Sequence, residues 1–445
     1  MKQAHPWFHQ LAGSLFTLML LVGMTTPALA QDQDQADLAE KVDILAAEIA
    51  QLREQMNIPE TEKERLGGQY GMSPVASKVY GGNPGLSMGG YGEFYFASQL
   101  QDVDGVVGRN TADFYRFVAY MGYKFSDRII MNTEIEFEHA TTSGNWAGKG
   151  GSVSVEFAYL DFLIDPAFNV RTGNLLMPMG FVNTLHEPIF YRGNFRPEIE
   201  RTIIPSTWRE LGLGAHGSFG QGFRYTTYLV NGLNGDKFSD TGIRGGRQKG
   251  NRVAFEDIGL VGALDWDIQS KFWLGGSYYY GGADQSGMTN DALTDIKVTN
   301  WIGEVHAQYR HRSLEVRALY AASGIDGASA LTEIIYADPG TKLIPESQQG
   351  WYLDVAYDLA PLLFGDDASF TLTPWVRYED MQLQSSVPGL DGREANPAHD
   401  RQILTIGLES KPHEQVVLKL DYVSNKSAAE YDPSDEIRVG AGFAY

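Results

Sequence analysis

The chain has 445 residues, 56 acidic against 35 basic, and a formal net charge of −21; this balance argues against nucleic acid as a partner. Cysteine is absent, which excludes a disulfide framework, a thiolate metal site and a cysteine nucleophile. Only 20% of residues are charged, while 50 are glycine and 12% aromatic, a composition suited to one large sheet rather than to several soluble domains.

Residues 1–30 read as a secretory signal, in preference to a retained membrane helix. Lys2 supplies a basic start, Leu11 to Val22 is mostly apolar, and Ala28-Leu29-Ala30 gives a small-x-small cleavage pattern before Gln31. Losing Lys2 with this leader takes the net charge to about −22. No later run approaches the roughly 20 apolar residues of a spanning helix.

Residues 31–60 carry an oligomerisation seam. Leu38, Val42, Leu45, Ile49, Leu52 and Met56 recur at spacings of four and three, the a and d positions of a coiled coil, with Glu48 and Arg53 placed to pair between chains. A single amphipathic helix lying on a surface is the competing reading, because three heptads are short. Residues 61–88, with Gly67, Gly68, Gly81, Gly82 and Pro84, read as a flexible linker.

From 89 to 445 the pattern changes to alternation. Phe117, Ala119, Met121, Tyr123 and Phe125 face one way while Arg116, Tyr120 and Lys124 face the other; Leu418, Leu420 and Tyr422 oppose Lys419 and Asp421. About sixteen such stretches are joined by alternately short and long connectors. In lipid every backbone N–H and C=O must be paired within the protein, so strands survive there only as a closed sheet. The expected fold is therefore all-β: a transmembrane antiparallel β-barrel of about 16 strands, wide enough for an aqueous lumen.

The third long connector, 179–209, differs from a solvated tip. Phe181, Leu185, Ile189, Phe190, Tyr191, Ile203, Ile204 and Trp208 need something to pack on, and Pro178, Pro188, Pro197 and Pro205 keep the segment out of central strands. Folded inward, it would bring Glu187, Arg192, Arg196, Glu198, Glu200 and Arg201 to a constriction.

This stretch, with its HEP, RPEIER and IIPSTWRELG elements, resembles the Gram-negative outer-membrane porins and in particular their phosphate-selective group. The resemblance implies an inward third loop, a homotrimer and a passive channel for ions or small hydrophilic solutes in the outer membrane, with the N-terminal helix in the periplasm and no cofactor. Unlike the basic ladder of that group, Glu134, Glu136 and Glu138 share one face of the third strand. Arg377, Lys419, Arg438, Arg116 and Lys124 alternate onto the lumen side and gather on one sector once the barrel closes, which would set a transverse field against an acidic loop.

Enzymatic readings find little support. His139, His186, His216 and His306 are scattered outside any metal spacing, so no metal site is expected. Asp102-Val103-Asp104-Gly105 lacks the later ligands of a calcium loop and reads as a turn. A structural or adhesive barrel that tethers the envelope remains the alternative to a diffusion channel.

Overall fold

The computed structural model describes residues 70–101, 110–145, 148–269, 271–336, 342–365, 367–390, 392–430 and 433–445. The leader, the Leu38 to Met56 seam, residues 61–69 and the Asp102 turn lie outside these.

Sixteen strands close into one antiparallel barrel. The first eight are β1 (Gly85–Gln99), β2 (Asn110–Ser126), β3 (Ile129–Glu138), β4 (Val153–Asp165), β5 (Phe168–Leu176), β6 (Arg209–Phe219), β7 (Phe223–Asn231) and β8 (Ile258–Ile268). The others are β9 (Phe272–Gly282), β10 (Thr299–His311), β11 (Leu314–Asp326), β12 (Ser347–Tyr357), β13 (Thr371–Ser386), β14 (Asp400–His413), β15 (Val416–Ser427) and β16 (Glu436–Ala444). Closure is made by β1 on β16, with Tyr91 opposite Ala444 and the Tyr445 N–H donating to Gly90 O at 2.8 Å.

The two faces are inverted relative to a soluble protein. Leu418, Leu420 and Tyr422 are exposed outside, as are Ile406 and Leu408 on β14, whereas Lys419 and Asp421 are buried inside. An apolar exterior around a polar interior fits lipid outside and water inside. Short connectors fall at one end, together with Gly85 and Tyr445, and long ones at the other. β5 stops at Leu176, two residues before Pro178, which has no N–H to give to a ladder.

The described part of the stretch read as a linker is packed rather than loose. β1 begins at Gly85, and residues 70–81, including a short helix Lys78–Gly81, lie in the lumen at the short-turn end. Met72, Val75, Ala76, Val79 and Tyr80 are buried there. Asn132 of β3 donates to Ala76 O at 2.7 Å, and the Tyr80 hydroxyl donates to Asp161 of β4 at 2.7 Å. Two strand glycines make the seats: a Cβ on Gly89 would stand 2.6 Å from Val75 Cγ1, and one on Gly122 would stand 2.6 Å from Val79 Cβ.

Candidate functional site: a loop across the lumen

The 177–208 connector between β5 and β6 folds into the barrel, as its apolar residues require. Met177, Met179, Phe181, Ile199, Ile203, Ile204 and Trp208 are buried in a core inside the lumen. Its polar groups bond to strands on opposite sides of the bore. On one side His186 Nε2 meets Glu134 of β3 at 3.1 Å and the Tyr191 hydroxyl donates to Glu93 of β1 at 2.5 Å. On the other, Gly180 N–H donates to Glu304 of β10 at 3.3 Å and the Tyr352 hydroxyl of β12 donates to Glu200 at 2.7 Å.

The centre of the crossing is Tyr191-Arg192-Gly193. The Arg192 guanidinium is ion-paired to Glu315 of β11 at 3.1 Å, Asp354 of β12 at 3.4 Å and Glu409 of β14 at 3.2 Å. Wall cations hold the backbone of the same residues: Lys419 donates to Tyr191 O at 2.9 Å and Gly193 O at 2.8 Å, and Arg377 donates to Arg192 O at 3.1 Å. The 232–257 connector pins the far end of the loop, Arg247 donating to Pro205 O and Thr207 O, both at 2.7 Å.

A cavity lies on each side of this crossing. The outer one, toward the long connectors, has a volume of about 250 Å³ and is bounded by Gly193, Arg196, Arg401 and Arg438. The inner one, toward the short turns, has about 510 Å³ and is bounded by Lys78, Arg192, Glu315 and Lys411.

The residues expected at a constriction thus divide. Arg192 borders the inner cavity, and Arg196 and Glu198 the outer. Arg201 grips Glu198 at 2.6 Å on the short helix Glu198–Thr202, one turn away, so these two oppose each other locally rather than across the bore. Glu200 and Glu187 turn into packed protein: Glu200 accepts from Val182 N–H at 2.8 Å as well as from Tyr352, and Glu187 accepts from the Ser73 hydroxyl. Period-two alternation places a strand residue on a face, but a loop residue has no such rule.

The expected lining residues Arg116, Glu134 and Glu136 are buried within the barrel wall's polar face, Arg116 pairing with Glu93 at 2.8 Å and Glu136 at 3.6 Å. Lys124 donates to Gly82 O at 2.9 Å, and Glu138 accepts from Ser152 at 2.7 Å. Arg377 and Lys419 lie together beside Gly193, while Arg438 pairs with Glu436 at 2.7 Å nearer the mouth. The basic sector is therefore present in space, but its charges are spent on wall carboxylates and loop carbonyls. Reading the sequence placed Asp421 on the inward face without giving it a role and missed Glu315, Asp354 and Glu409, each an acidic residue on the inward phase of its strand, which was the available signal.

Glu134, Glu156 and His186 bring three ligand atoms within 4.8 Å of one another, near enough to admit a cation. The geometry is accounted for without one, since His186 Nε2 bonds both Glu134 oxygens and Arg209 holds Glu156 Oε1 at 2.6 Å.

Glu187 couples the loop to the packed N-terminal segment and carries a pH dependence. Burial raises its carboxyl to about 7 against the pull of the Ser73 hydroxyl and of His186, with Glu134 reinforcing the rise. The folded protein therefore holds an extra proton between the ordinary carboxylate range and about 7. Docking is firmest below that range and weakens as pH rises through about 7. Hydrogen-exchange protection of residues 72–80, corrected for intrinsic rates, should fall between pH 6 and pH 8, and Glu187→Gln should abolish most of that fall. Equal pH sensitivity in the variant would show that another group is responsible.

The closed sheet, its apolar exterior and its polar, loop-crossed interior define a sixteen-stranded transmembrane β-barrel. The chain belongs to the same family as an uncharacterized protein of Aquifex aeolicus, to which it is 33% identical over 380 residues, covering 84% of this chain and 82% of that one. No family model matches. Among solved structures, Salmonella typhi OmpF, in complex with daunomycin, superposes with a TM-score of 0.54 at 13% identity, covering 81% of this chain and 97% of OmpF. Pseudomonas putida OprB, in its high-pH form, gives 0.50 at 11% identity, covering 81% and 94%. At these identities the likeness is one of fold.

Proposed function

We propose that this protein is an outer-membrane diffusion channel of a Gram-negative bacterium, passing ions and small hydrophilic solutes through a bore that its third loop constricts. The observation that carries this reading is the pair of cavities bordered by charged residues, about 250 and 510 Å³, separated by Tyr191-Arg192-Gly193 inside an apolar-faced barrel. A sixteen-strand barrel is wide enough to leave a lumen, and fixed charges at a narrowing act with little screening by bulk water. The reading extends to a trimer, with Leu38, Val42, Leu45, Ile49, Leu52 and Met56 bundling three chains in the periplasm. Phosphate selectivity is not part of it, because the wall cations Arg377, Lys419 and Arg438 are matched by carboxylates or loop carbonyls.

Planar-bilayer recording of the purified protein should give discrete conductance steps; protein that inserts but never conducts ends the channel reading. The density of bonds across the lumen favours a second reading, an envelope-tethering barrel whose loop is purely structural, and the same recording separates the two.

Glu198 is the acidic loop residue that borders the outer cavity. Glu198→Gln should shift the reversal potential in a salt gradient toward anions, by several millivolts or more, whereas Glu394→Gln, on the exposed connector after β13, should leave it nearly unmoved. Equal shifts in both would remove the loop from the role of filter.

A further inference from the structure

The outer cavity is unevenly satisfied. Its acids have partners: Glu198 is held by Arg201 at 2.6 Å, Glu436 by Arg438 at 2.7 Å, and Glu379 by the Ile199 N–H at 3.2 Å. Asp421 accepts from Asn194 through both its backbone N–H, at 2.6 Å, and its side chain, at 2.9 Å. Its donors are less well served. Arg196 is only 8% exposed, yet among the described residues its Nε and Nη2 have no hydrogen-bond partner, and neither have Trp375 Nε1 and Arg401 Nε, although Arg401 Nη1 lies 3.9 Å from Glu198 and its Nη2 donates to Asn425 at 3.4 Å. Against these stands, among the described residues, one buried unbonded acceptor on the lining, Asp421 Oδ1. Buried donors left without acceptors cost free energy, and a ligand rich in acceptors recovers it.

Part of the remaining wall is apolar, beside polar residues such as Thr405 and Asn425. Phe195, Trp375, Ile403 and Val423 line the cavity, and the Arg438 guanidinium already lies 4.5 Å over the Phe195 ring, fixing that ring's face. The volume of about 250 Å³ falls just below the roughly 300–1,000 Å³ of drug-sized ligand sites, which suits a small solute.

We propose that this cavity is a binding subsite for small organic carboxylates, with the carboxylate taken by the Arg196 and Arg401 guanidinium groups and the apolar body lying against Phe195 and Trp375. Guanidinium forks match carboxylate geometry and the aromatic wall discriminates against a bare inorganic anion. The subsite rests on the channel reading only for the solute's route to it through the long-loop mouth; occupancy is measured without transport.

The test is calorimetric titration of the full-length protein in detergent micelles with benzoate, blanked against micelles alone. Saturable binding is expected, with benzamidine, the same ring bearing a cationic head, failing to saturate, and equimolar phosphate failing to displace benzoate. Arg401→Gln, near the mouth and away from the core, should weaken benzoate at least tenfold; Arg196→Gln should weaken it further, and Arg196→Lys should restore part of the loss. Should Arg196→Gln fail to fold, Arg401→Gln alone still decides. Benzamidine binding as well as benzoate, unchanged affinity in Arg401→Gln, or equal displacement by phosphate would each overturn the proposal. Benzoate binding without bilayer conductance would end the channel reading and leave the subsite standing; conductance without benzoate binding would do the reverse.

Discussion

Arg192→Ala is expected to raise single-channel conductance several-fold and to swing selectivity strongly toward cations. Three wall carboxylates converge on Arg192, Glu315, Asp354 and Glu409, at 3.1 to 3.4 Å from its guanidinium nitrogens. Removing it leaves these acids crowded on one sector of the wall without that cation, and breaking a buried pair in this way costs about 3–5 kcal/mol. The mutual repulsion is relieved by letting water and permeant cations in and by moving the 191–193 backbone off the wall. The carbonyl bonds from Lys419 and Arg377 would then hold a segment whose side-chain anchor is gone. Arg192→Lys keeps the charge but loses the fork, so an intermediate conductance is expected. If Arg192→Ala conducted and selected like the parent, the crossing would not be the narrowing and the ion-pair triad would be a structural detail.

The second large effect belongs to the inner end. Gly122→Ala and Gly89→Ala should each unseat residues 72–80, because the added Cβ would stand 2.6 Å from Val79 Cβ or from Val75 Cγ1, well inside contact distance. Strand backbone on this wall is fixed by its ladders, so the N-terminal segment must give way. Overpacking of this kind costs typically 1–3 kcal/mol. Displacement would strip Pro74, Val75 and Lys78 from the inner cavity and remove the Ser73 hydroxyl from Glu187. Trypsin acting on the detergent-solubilised protein should then cut after Lys78 in the variants and spare it in the parent, and inner-side access should raise conductance modestly. Parent-like resistance in both variants would mean that the seats are softer than the glycine spacing implies.

Much of the barrel was legible in the sequence, for a physical reason. Lipid on one side and water on the other impose a period of two that no neighbouring element can override, so Leu418, Leu420 and Tyr422 announce their face and Lys419 and Asp421 theirs. Short connectors such as Asp165 to Phe168 set the strand ends within a few residues. The loop's inward turn was also readable, since its apolar side chains demanded burial.

Partners across the lumen were not readable. Alternation says that Glu409 points inward; it does not say that Arg192, 217 residues earlier, will meet it. Glu200 resembles any other loop acid until Tyr352 and the Val182 N–H are seen to claim it. The N-terminal segment was misjudged because glycine and proline around it suggested slack. Met72, Val75, Ala76, Val79 and Tyr80 recur at spacings of three and four within that stretch, and this was the signal to weigh against them.

The crossing loop also bears on how the molecule is built. Residues 177–208 take partners from β1 and β3 behind them in the chain and from β10 to β15 ahead, so the loop depends on strands far from it in sequence on both sides. Contacts so remote in sequence close slowly, and a sheet with open edges is exposed to mispairing meanwhile. The order of events is constrained by geometry: once β1 and β16 have zipped, the lumen is a sealed tube and a 32-residue segment bearing Arg192, Glu200 and Trp208 would have to be threaded in from its mouth. Laying the loop down first and wrapping the later strands around it avoids that passage, so that the loop serves as the mandrel on which its own barrel is rolled.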